Sequence, residues 1–386
     1  MDSDDSTVRP ITPLIPTGPL FDPAAAMAPN PEPPTGAGAR ILRAAQLLFA
    51  LWLFLSAIAV LKDGAKALAP LLEGSAFTDS AASTLGFGWL GAMLVMSGSP
   101  IAVSAIALLD GGVVNTVGAF TMLTGSRLGA SLVVLVVAFI YALRTKPGTG
   151  VRTASLSIGI FALILSAVVY LPAMFIAIPL LQHHVFASIL PADAFTPPDV
   201  IEWLTGTFVN HVVDLVPGRL LFLVGLVLLL LSVRIIDRSL PEATDTARLE
   251  EHGDWRDRTW VMFGMGSLVA LVTMSVSVAL TVLVPAVAKG HFRRRQVIPY
   301  IMGANITTLG DTLLTAVIIG RPSGVHVVLA ELVSIVFVTM LLLVFAYRPM
   351  TEALVRVTDA LLESKQRVVG FAAGLFVIPI ALIVLF

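Results

Sequence analysis

The sequence predicts an all-α membrane protein with two inverted-topology repeats, each containing a re-entrant helical hairpin and a broken transmembrane helix. Of its 386 residues, 57% are hydrophobic and only 13% are charged, whereas an ordinary soluble domain has about 25% charged residues. Apolar runs close to the roughly 20 residues that cross a bilayer recur along the chain. The motif Met-Ser-X-Ser occurs once in each half of the chain, at 96–99 and at 274–277. These observations exclude a soluble globular enzyme and indicate a repeated membrane fold.

The chain begins with a segment that is predicted to be a disordered cytoplasmic tail, residues 1–39. Nine prolines lie between Pro10 and Pro34, and a segment so polar and so interrupted by proline cannot bury a core. Arg40 and Arg43 stand at the start of the first apolar run. By the positive-inside rule, these arginines place the N-terminus in the cytoplasm of a multi-pass protein of the cell membrane.

Residues 40–181 are predicted to form the first transmembrane repeat. An apolar block at 85–109 is interrupted by Met-Ser-Gly-Ser-Pro at 96–100. Its two arms of about 11 residues are each too short to span, which favours a re-entrant hairpin. A single crossing helix kinked at Pro100 is the alternative. The next apolar run contains Thr-Gly-Ser-Arg at 124–127, which predicts a broken helix.

The rest of the chain predicts an outside loop and a second repeat. Residues 182–216 contain four acidic residues and no Lys or Arg, so this loop is expected to be extracytoplasmic. The second repeat, 217–348, contains an interrupted apolar block at 261–288 and a further run interrupted at 303–308. Residues 349–386 are predicted to be a cytoplasmic loop followed by a C-terminal transmembrane helix.

The distribution of basic residues tests this topology. If both interrupted blocks are re-entrant, the basic clusters fall on the cytoplasmic side with Arg40 and Arg43. These clusters are at 144–152, 234–258, 289–295 and 348–367. The two halves of the chain are therefore expected to enter the membrane from opposite sides, as the halves of many secondary transporters do.

Motifs in the two halves also point to a known family. The hairpin tips read Met-Ser-Gly-Ser and Met-Ser-Val-Ser, and the later motifs read Gly-Ser-Arg-Leu-Gly-Ala-Ser (125–131) and Gly-Ala-Asn-Ile-Thr-Thr (303–308). In these motifs and their spacing, residues 45–350 resemble the type II sodium-phosphate cotransporters and their bacterial relatives. The resemblance implies a secondary transporter, not an enzyme, that moves inorganic phosphate or a similar oxyanion across the membrane by sodium symport.

The chain departs from the family pattern at three positions. Met96 and Met274 stand where the family has glutamine, and Arg127 stands where the first Gly-Ala-Asn-Ile motif has asparagine. Two alternatives therefore stay open: transport of another anion with altered or lost sodium coupling, and a non-transporting membrane receptor or regulator on the same fold.

Serines at the two hairpin tips are the predicted substrate-binding residues. A tetrahedral oxyanion at the membrane midplane needs directed donors, and tip hydroxyls beside the N-termini of the second hairpin arms supply them. The alternative is that these serines serve helix packing or bond their own i−4 carbonyls. The candidates are Ser97, Ser99, Ser275 and Ser277.

A sodium site is predicted in the second half, where an unwound stretch offers backbone carbonyl, amide and hydroxyl oxygens. Its candidate ligands are Gly303, Asn305, Thr307 and Thr308, with a carboxylate from Asp311. At the matching place in the first half, Arg127 repels a cation. Arg127 is expected either to bind the anion in bidentate fashion or to replace a sodium as a fixed charge. A structural ion pair with Asp110, Asp311 or Glu331 is the alternative.

One further intramembrane charge and several absences complete the sequence reading. Glu331 lies inside an apolar run, where it is either a proton-coupling group or the partner of Arg127. The adjacent histidines His183 and His184 lack a nearby third metal ligand. No cysteine is present and no histidine lies in either hairpin, so a tip serine has no adjacent base to activate it as a nucleophile. The net charge of −1 argues against a nucleic-acid partner.

Overall fold

The computed structural model describes residues 37–72, 80–145, 150–189, 199–239, 257–273, 275–320 and 322–386. The chain divides into two compact units, residues 1–45 and residues 46–386, and the fold and site treated below lie in the second. The predicted tail lies outside the described residues except for its last three, which begin a helix.

The described residues are almost entirely helical and contain no strand. The helices are α1 (Ala37–Leu72), α2 (Ala81–Val95), α3 (Ser99–Asp110), α4 (Thr116–Ala130), α5 (Leu132–Arg144), α6 (Gly150–Gln182), α7 (Val185–Ile189), α8 (Asp199–Leu215), α9 (Gly218–Ser239), α10 (Thr259–Thr273), α11 (Val276–Thr281), α12 (Leu283–Ala288), α13 (Val297–Thr307), α14 (Gly310–Ile319), α15 (Pro322–Phe345), α16 (Tyr347–Leu362) and α17 (Lys365–Leu385).

Seven helical segments of the described chain are long and apolar enough to cross a membrane, as expected of an all-α membrane protein. They are Ile41–Leu72, Thr116–Arg144, Gly150–Gln182, Gly218–Ile236, Val297–Ile319, Pro322–Phe345 and Lys365–Leu385. The interior of a bilayer offers no hydrogen-bond partners to the backbone. A helix meets this condition because its backbone N–H and C=O groups bond to each other within the segment.

Each of the two interrupted apolar blocks consists of two short helical arms. The longest arms, α2 and α10, have 15 residues, or about 22 Å at 1.5 Å per residue, against about 30 Å of bilayer hydrocarbon. In the first block the chain turns at Met96, which adopts a left-handed backbone conformation with φ of 57°. Pro100 lies in the first turn of α3, where proline is favoured, so it starts a helix rather than kinking one.

The two halves of the chain match at a constant offset, the one that relates Met96 to Met274. Helix α10 has the same length as α2, and the same offset relates their first residues, Ala81 and Thr259. It also relates the two glycines that follow the second arms, Gly112 and Gly290, which both have positive φ, 77° and 81°. The breaks that follow, at Ser131 between α4 and α5 and at Leu309 between α13 and α14, are related in the same way.

The first break lies beyond the predicted position, whereas the second, at Thr308 and Leu309, overlaps the end of the predicted stretch 303–308. Thr124 to Arg127 are helical in α4, and Gly303 to Thr307 are helical in α13. The glycines of these motifs instead allow close helix packing: a Cβ at Gly125 would overlap the carbonyl oxygen of Leu85, and one at Gly303 would overlap that of Phe263. The sequence prediction of a break at 124–127 was therefore wrong, because its glycine marks a helix contact and not a turn.

Substitution of two glycines on α10 tests this close packing against α13. A Cβ at Gly266 would overlap the carbonyl oxygen of Tyr300, whereas no described atom lies within 4 Å of the Cβ position at Gly264. We expect Gly266→Ala to lower the free energy of unfolding by about 1–3 kcal/mol through overpacking. Gly264→Ala, on the same helix, should be neutral or slightly stabilising. Thermal unfolding in detergent measures both, and equal losses in the two variants would contradict the close contact.

Helices α6 and α15 lie at the centre of the fold. Helix α6 packs against α4, α5, α12, α13 and α15, and most of the residues in its second and third turns are buried. Helix α15 also contacts α3, α4, α13 and α14. Polar side chains on these two helices are therefore held inside the protein, where they require partners.

Two segments outside the central helices differ from simple loops. Within the predicted outside loop, α8 forms a helix whose Trp203 is 81% exposed. The cytoplasmic loop predicted to precede the C-terminal helix within 349–386 contains most of α16, which buries Thr351, Leu354 and Thr358. These positions recur at a helical spacing, so one face of α16 packs on the protein while its charged face stays exposed.

Candidate functional site

The tip of the first hairpin is placed by tight contacts with α4. The backbone N–H of Ser97 donates to the carbonyl oxygen of Ala92 at 3.1 Å, which closes the turn after α2. A Cβ at Gly98 would lie 3.0 Å from the carbonyl oxygen of Ser126 and from Ala130 Cβ. A side chain at this position would push the tip away from α4, and the close approach that glycine allows brings the flanking serines toward Arg127.

The tip of the second hairpin comes from the other half of the chain. Ser275 is the N-cap of α11, and its Oγ accepts a hydrogen bond from the backbone N–H of Val278 at 3.3 Å. Helix α11 packs against α5 as well as against α10 and α13. Because α5 belongs to the first half, this contact carries the second tip toward the first.

All four tip serines line one small cavity. The other side chains that line it include Arg127, Tyr170 and Asn305. The cavity is thus lined by residues from both halves of the chain, for example Ser97 from the first and Asn305 from the second. The predicted substrate-binding residues Ser97, Ser99, Ser275, Ser277 and Arg127 are therefore brought together.

The tip hydroxyls differ from an ordinary buried serine on the same hairpin. Ser104 on α3 donates to the carbonyl oxygen of Pro100 at 2.8 Å, the i−4 bond typical of membrane helices. Within the part of the chain that the structure describes, the hydroxyls of Ser97, Ser99 and Ser277 make no such hydrogen bond. Three of the four tip hydroxyls are thus available to a ligand.

The cavity is small. Its volume is about 20 Å³, which admits little more than a water molecule. A tetrahedral oxyanion would require the tips or their side chains to move apart. Helix α11 has only six residues, so the donors at the second tip are its side-chain hydroxyls and not a helix dipole.

Arg127 is buried at the cavity and pairs with Asp311. Its Nη2 donates to Thr312 Oγ1 at 2.7 Å and lies 3.7 Å from Asp311 Oδ1. Its Nε is buried and has no hydrogen-bond partner among the described residues. Of the three carboxylates considered from the sequence, Asp311 is the one that the structure pairs with Arg127, since Asp110 pairs with Lys62 at 3.8 Å.

Asp311 holds the arginine from outside the cavity. Its Oδ1 accepts from the backbone N–H of Thr312 at 2.6 Å and from Thr312 Oγ1 at 3.0 Å. It lies in the first turn of α14, where a carboxylate interacts favourably with the helix dipole. Asp311 thus orients Arg127 and does not itself line the cavity.

The predicted sodium ligands are only partly brought together. Asn305 lines the cavity, but its backbone carbonyl accepts from Tyr170 Oη at 2.9 Å and from Thr308 Oγ1 at 3.2 Å. Thr307 Oγ1 donates to the carbonyl oxygen of Ser267 at 2.9 Å. Gly303 packs against α10. In this arrangement, the Asn305 carbonyl and the hydroxyls of Thr307 and Thr308 serve hydrogen bonds within the protein.

Tyr170 is a cavity residue that the sequence reading missed. It lies on α6, is 1% exposed, and contacts both the cavity and Asn305. A tyrosine inside an apolar span usually finds a partner for its hydroxyl. That rule, applied to one of only four tyrosines in the chain, is the signal that could have found it.

Glu331 lies on α15 and is 1% exposed. Its Oε1 accepts from Thr124 Oγ1 at 3.3 Å, and its buried Oε2 has no hydrogen-bond partner among the described residues. Thr124 lies one turn before Arg127 on α4, so Glu331 packs against the helix that carries the guanidinium. The guanidinium, however, makes its ion pair with Asp311.

Comparison of the chain with protein family models, with curated proteins and with solved structures finds no match in any of the three.

Proposed function

We propose that this protein is a secondary transporter that moves inorganic phosphate or a similar oxyanion across the cell membrane. The observation that carries the proposal is the cavity at which both hairpin tips meet Arg127. Hydroxyl donors from two related segments surround a permanent positive charge. This is the chemistry that a tetrahedral anion needs when it leaves water.

The charge at the cavity favours an anion over a cation or a neutral solute. Arg127 cannot be deprotonated in a protein, and its planar group presents several N–H donors in a fixed fork. Its Nε has no partner among the described residues, so at least one donor remains for a ligand. Ser97, Ser99 and Ser277 add hydroxyls that are not used elsewhere in the described chain.

The proposal includes an architecture of two inverted repeats with re-entrant hairpins and a cytoplasmic N-terminus. Three observations support it: the short arms of both blocks, the constant offset between corresponding helices, and the basic clusters that this topology gathers on one side. In such an architecture, one bundle rocks against the other around a fixed site and exposes it alternately to the two sides. A membrane structure in which either block crosses the bilayer would contradict this topology.

Exchange of labelled phosphate tests the transport function directly. Purified full-length protein is reconstituted in liposomes loaded with unlabelled phosphate, at equal pH on both sides, and [³²P]phosphate is added outside. We expect the label to enter faster than in protein-free liposomes, because exchange needs only binding and alternating access. Specific phosphate binding without any exchange would instead support the receptor alternative.

The tip serines provide a graded test of the site. We expect Ser97→Ala and Ser277→Ala each to weaken phosphate binding about 2- to 13-fold, because one neutral hydrogen bond contributes about 0.5–1.5 kcal/mol. Ser104→Ala is the matched control, since its hydroxyl bonds its own helix. Calorimetric titration of the purified variants with phosphate measures the affinities. Wild-type affinity in both tip variants would mean that the tips serve only packing.

A further inference from the structure

We infer that Glu331 carries a proton together with the oxyanion, so that the protein is a proton-coupled symporter. This inference rests on the proposed transport function and adds to it the coupling ion and the residue that binds it. The resemblance to sodium-coupled carriers predicts sodium as the coupling ion. The position of Glu331 among the buried charges instead supports a proton as the coupling ion.

Glu331 is poorly solvated for an ionised group. A buried carboxylate normally accepts several hydrogen bonds or pairs directly with a cation. Glu331 receives one neutral hydrogen bond of 3.3 Å from Thr124, and its Oε2 receives none from the described residues. A proton on Oε2 removes the cost of this unsolvated charge, and no rearrangement of the fold is needed to accept it.

The charges near Glu331 add up to an unbalanced cluster. Glu331 accepts from Thr124, which lies one turn before Arg127 on α4. Arg127 in turn pairs with Asp311 of α14 and lines the same cavity as Tyr170 of α6. With Asp311 and Glu331 both ionised beside Arg127, one positive and two negative charges leave a net charge of −1. Protonation of Glu331 makes the cluster neutral, and an added oxyanion increases the need for that proton.

Other ionisable groups on the helices that pack against α15 are engaged elsewhere. Asp110 of α3 pairs with Lys62, and Asp359 of α16 pairs with Arg294 at 2.6 Å. Tyr300 of α13 donates to the carbonyl oxygen of Ala279. On α15 itself the nearest titratable side chain is His326, more than one helical turn before Glu331. Asp311 is the ion-pair partner of Arg127, and Glu331, which accepts from Thr124 one turn before Arg127, is a second buried carboxylate beside that pair.

Coupling follows from the electrostatics. An anion beside Arg127 weakens the positive field that favours ionised Glu331, so anion binding promotes proton uptake. By thermodynamic reciprocity, a proton on Glu331 raises the affinity for the anion by the same factor. Joint binding of proton and anion is the condition for symport. Glu331 does not line the cavity, so it acts as a coupling residue and not as a ligand of the anion.

The experiment drives [³²P]phosphate into sodium-free proteoliposomes with an inward proton gradient of two pH units. We expect the wild type to accumulate phosphate, up to about 100-fold for one proton per anion, since each pH unit corresponds to a factor of ten. Glu331→Gln should still exchange phosphate but should lose accumulation, and its exchange rate should keep only the pH dependence that the titration of phosphate imposes. Because phosphate itself titrates in this range, variant and wild type are compared at each pH.

Two further variants keep the test decisive. Glu352→Gln changes an exposed carboxylate on α16 and should accumulate phosphate like the wild type. Thr124→Val removes the one donor to Glu331 and should move the pH dependence of exchange to higher pH, because the ionised form loses its hydrogen bond. The pH dependence of exchange in Thr124→Val can be measured even if the Glu331→Gln variant does not fold.

Each contrary result has a separate meaning. Proton-driven accumulation in Glu331→Gln, or wild-type accumulation that requires sodium and ignores the proton gradient, would overturn the inference while leaving phosphate transport intact. In the sodium case, Asn305→Ala should then change the sodium dependence. If the wild type exchanges no phosphate at all, the proposed function fails, and the inference fails with it.

Discussion

Arg127→Lys should weaken phosphate binding by at least about 30-fold while leaving the fold stable. The variant keeps a positive charge beside Asp311, which lies 3.7 Å from the guanidinium, so the buried carboxylate stays compensated. It loses the planar fork that donates to Thr312 and whose buried Nε has no partner among the described residues. Loss of a buried charged donor costs about 2 kcal/mol or more, which sets the expected factor. Calorimetric titration with phosphate measures it.

A matched substitution separates this effect from a general loss of charge. Arg294→Lys changes an arginine that is partly exposed and pairs with Asp359, away from the cavity. It should leave the affinity for phosphate unchanged. If Arg127→Lys also binds phosphate with wild-type affinity, the guanidinium does not contact the anion, and Arg127 is only the partner of Asp311.

Asp311→Asn is expected to have the largest effect on stability, a loss of about 3 kcal/mol in the free energy of unfolding. The substitution leaves Arg127 buried without an opposing charge, and breaking one side of a buried pair is strongly destabilising. The double variant Arg127→Asn with Asp311→Asn removes both charges and should recover most of the loss. Unfolding in detergent by heat or denaturant provides the comparison.

The double variant also separates stability from binding. It should be folded yet bind phosphate poorly, because the positive charge at the cavity is gone. Glu363→Gln, which breaks the exposed pair between Arg367 and Glu363, is the surface control and should cost no more than about 0.5 kcal/mol. Full stability of Asp311→Asn would indicate that Arg127 is compensated by another group, with Glu331 the first to test.

The class of protein and its helical pattern followed from local sequence features. Apolar runs of about 20 residues predict spanning helices, and blocks split by serine and glycine predict paired short arms. Such features are local: they depend on composition and spacing over a few turns. The described residues form these helices, and both blocks consist of two arms. The same local reasoning misplaced the helix break in the first half, because glycine is favoured both at a turn and at a close helix contact.

At the site, the sequence identified residue types and the tertiary structure decided their partners. The internal repeat and the tip motifs selected the four serines, and the deviation from a family pattern selected Arg127. That these groups line one cavity depends on contacts between helices from distant parts of the chain, such as α11 against α5.

The choice of Asp311 over Glu331 as the ion-pair partner of Arg127 also required the fold. Both carboxylates lie far from Arg127 along the chain, in the other half, and the direction in which each helix presents its side chain separates them. The partner of Tyr170 likewise could not be identified from the sequence, because the hydrogen bond from its hydroxyl to the Asn305 carbonyl joins distant parts of the chain. Hydrophobic periodicity constrains which residues lie inside, whereas the pairing of buried polar groups depends on the packing of whole helices.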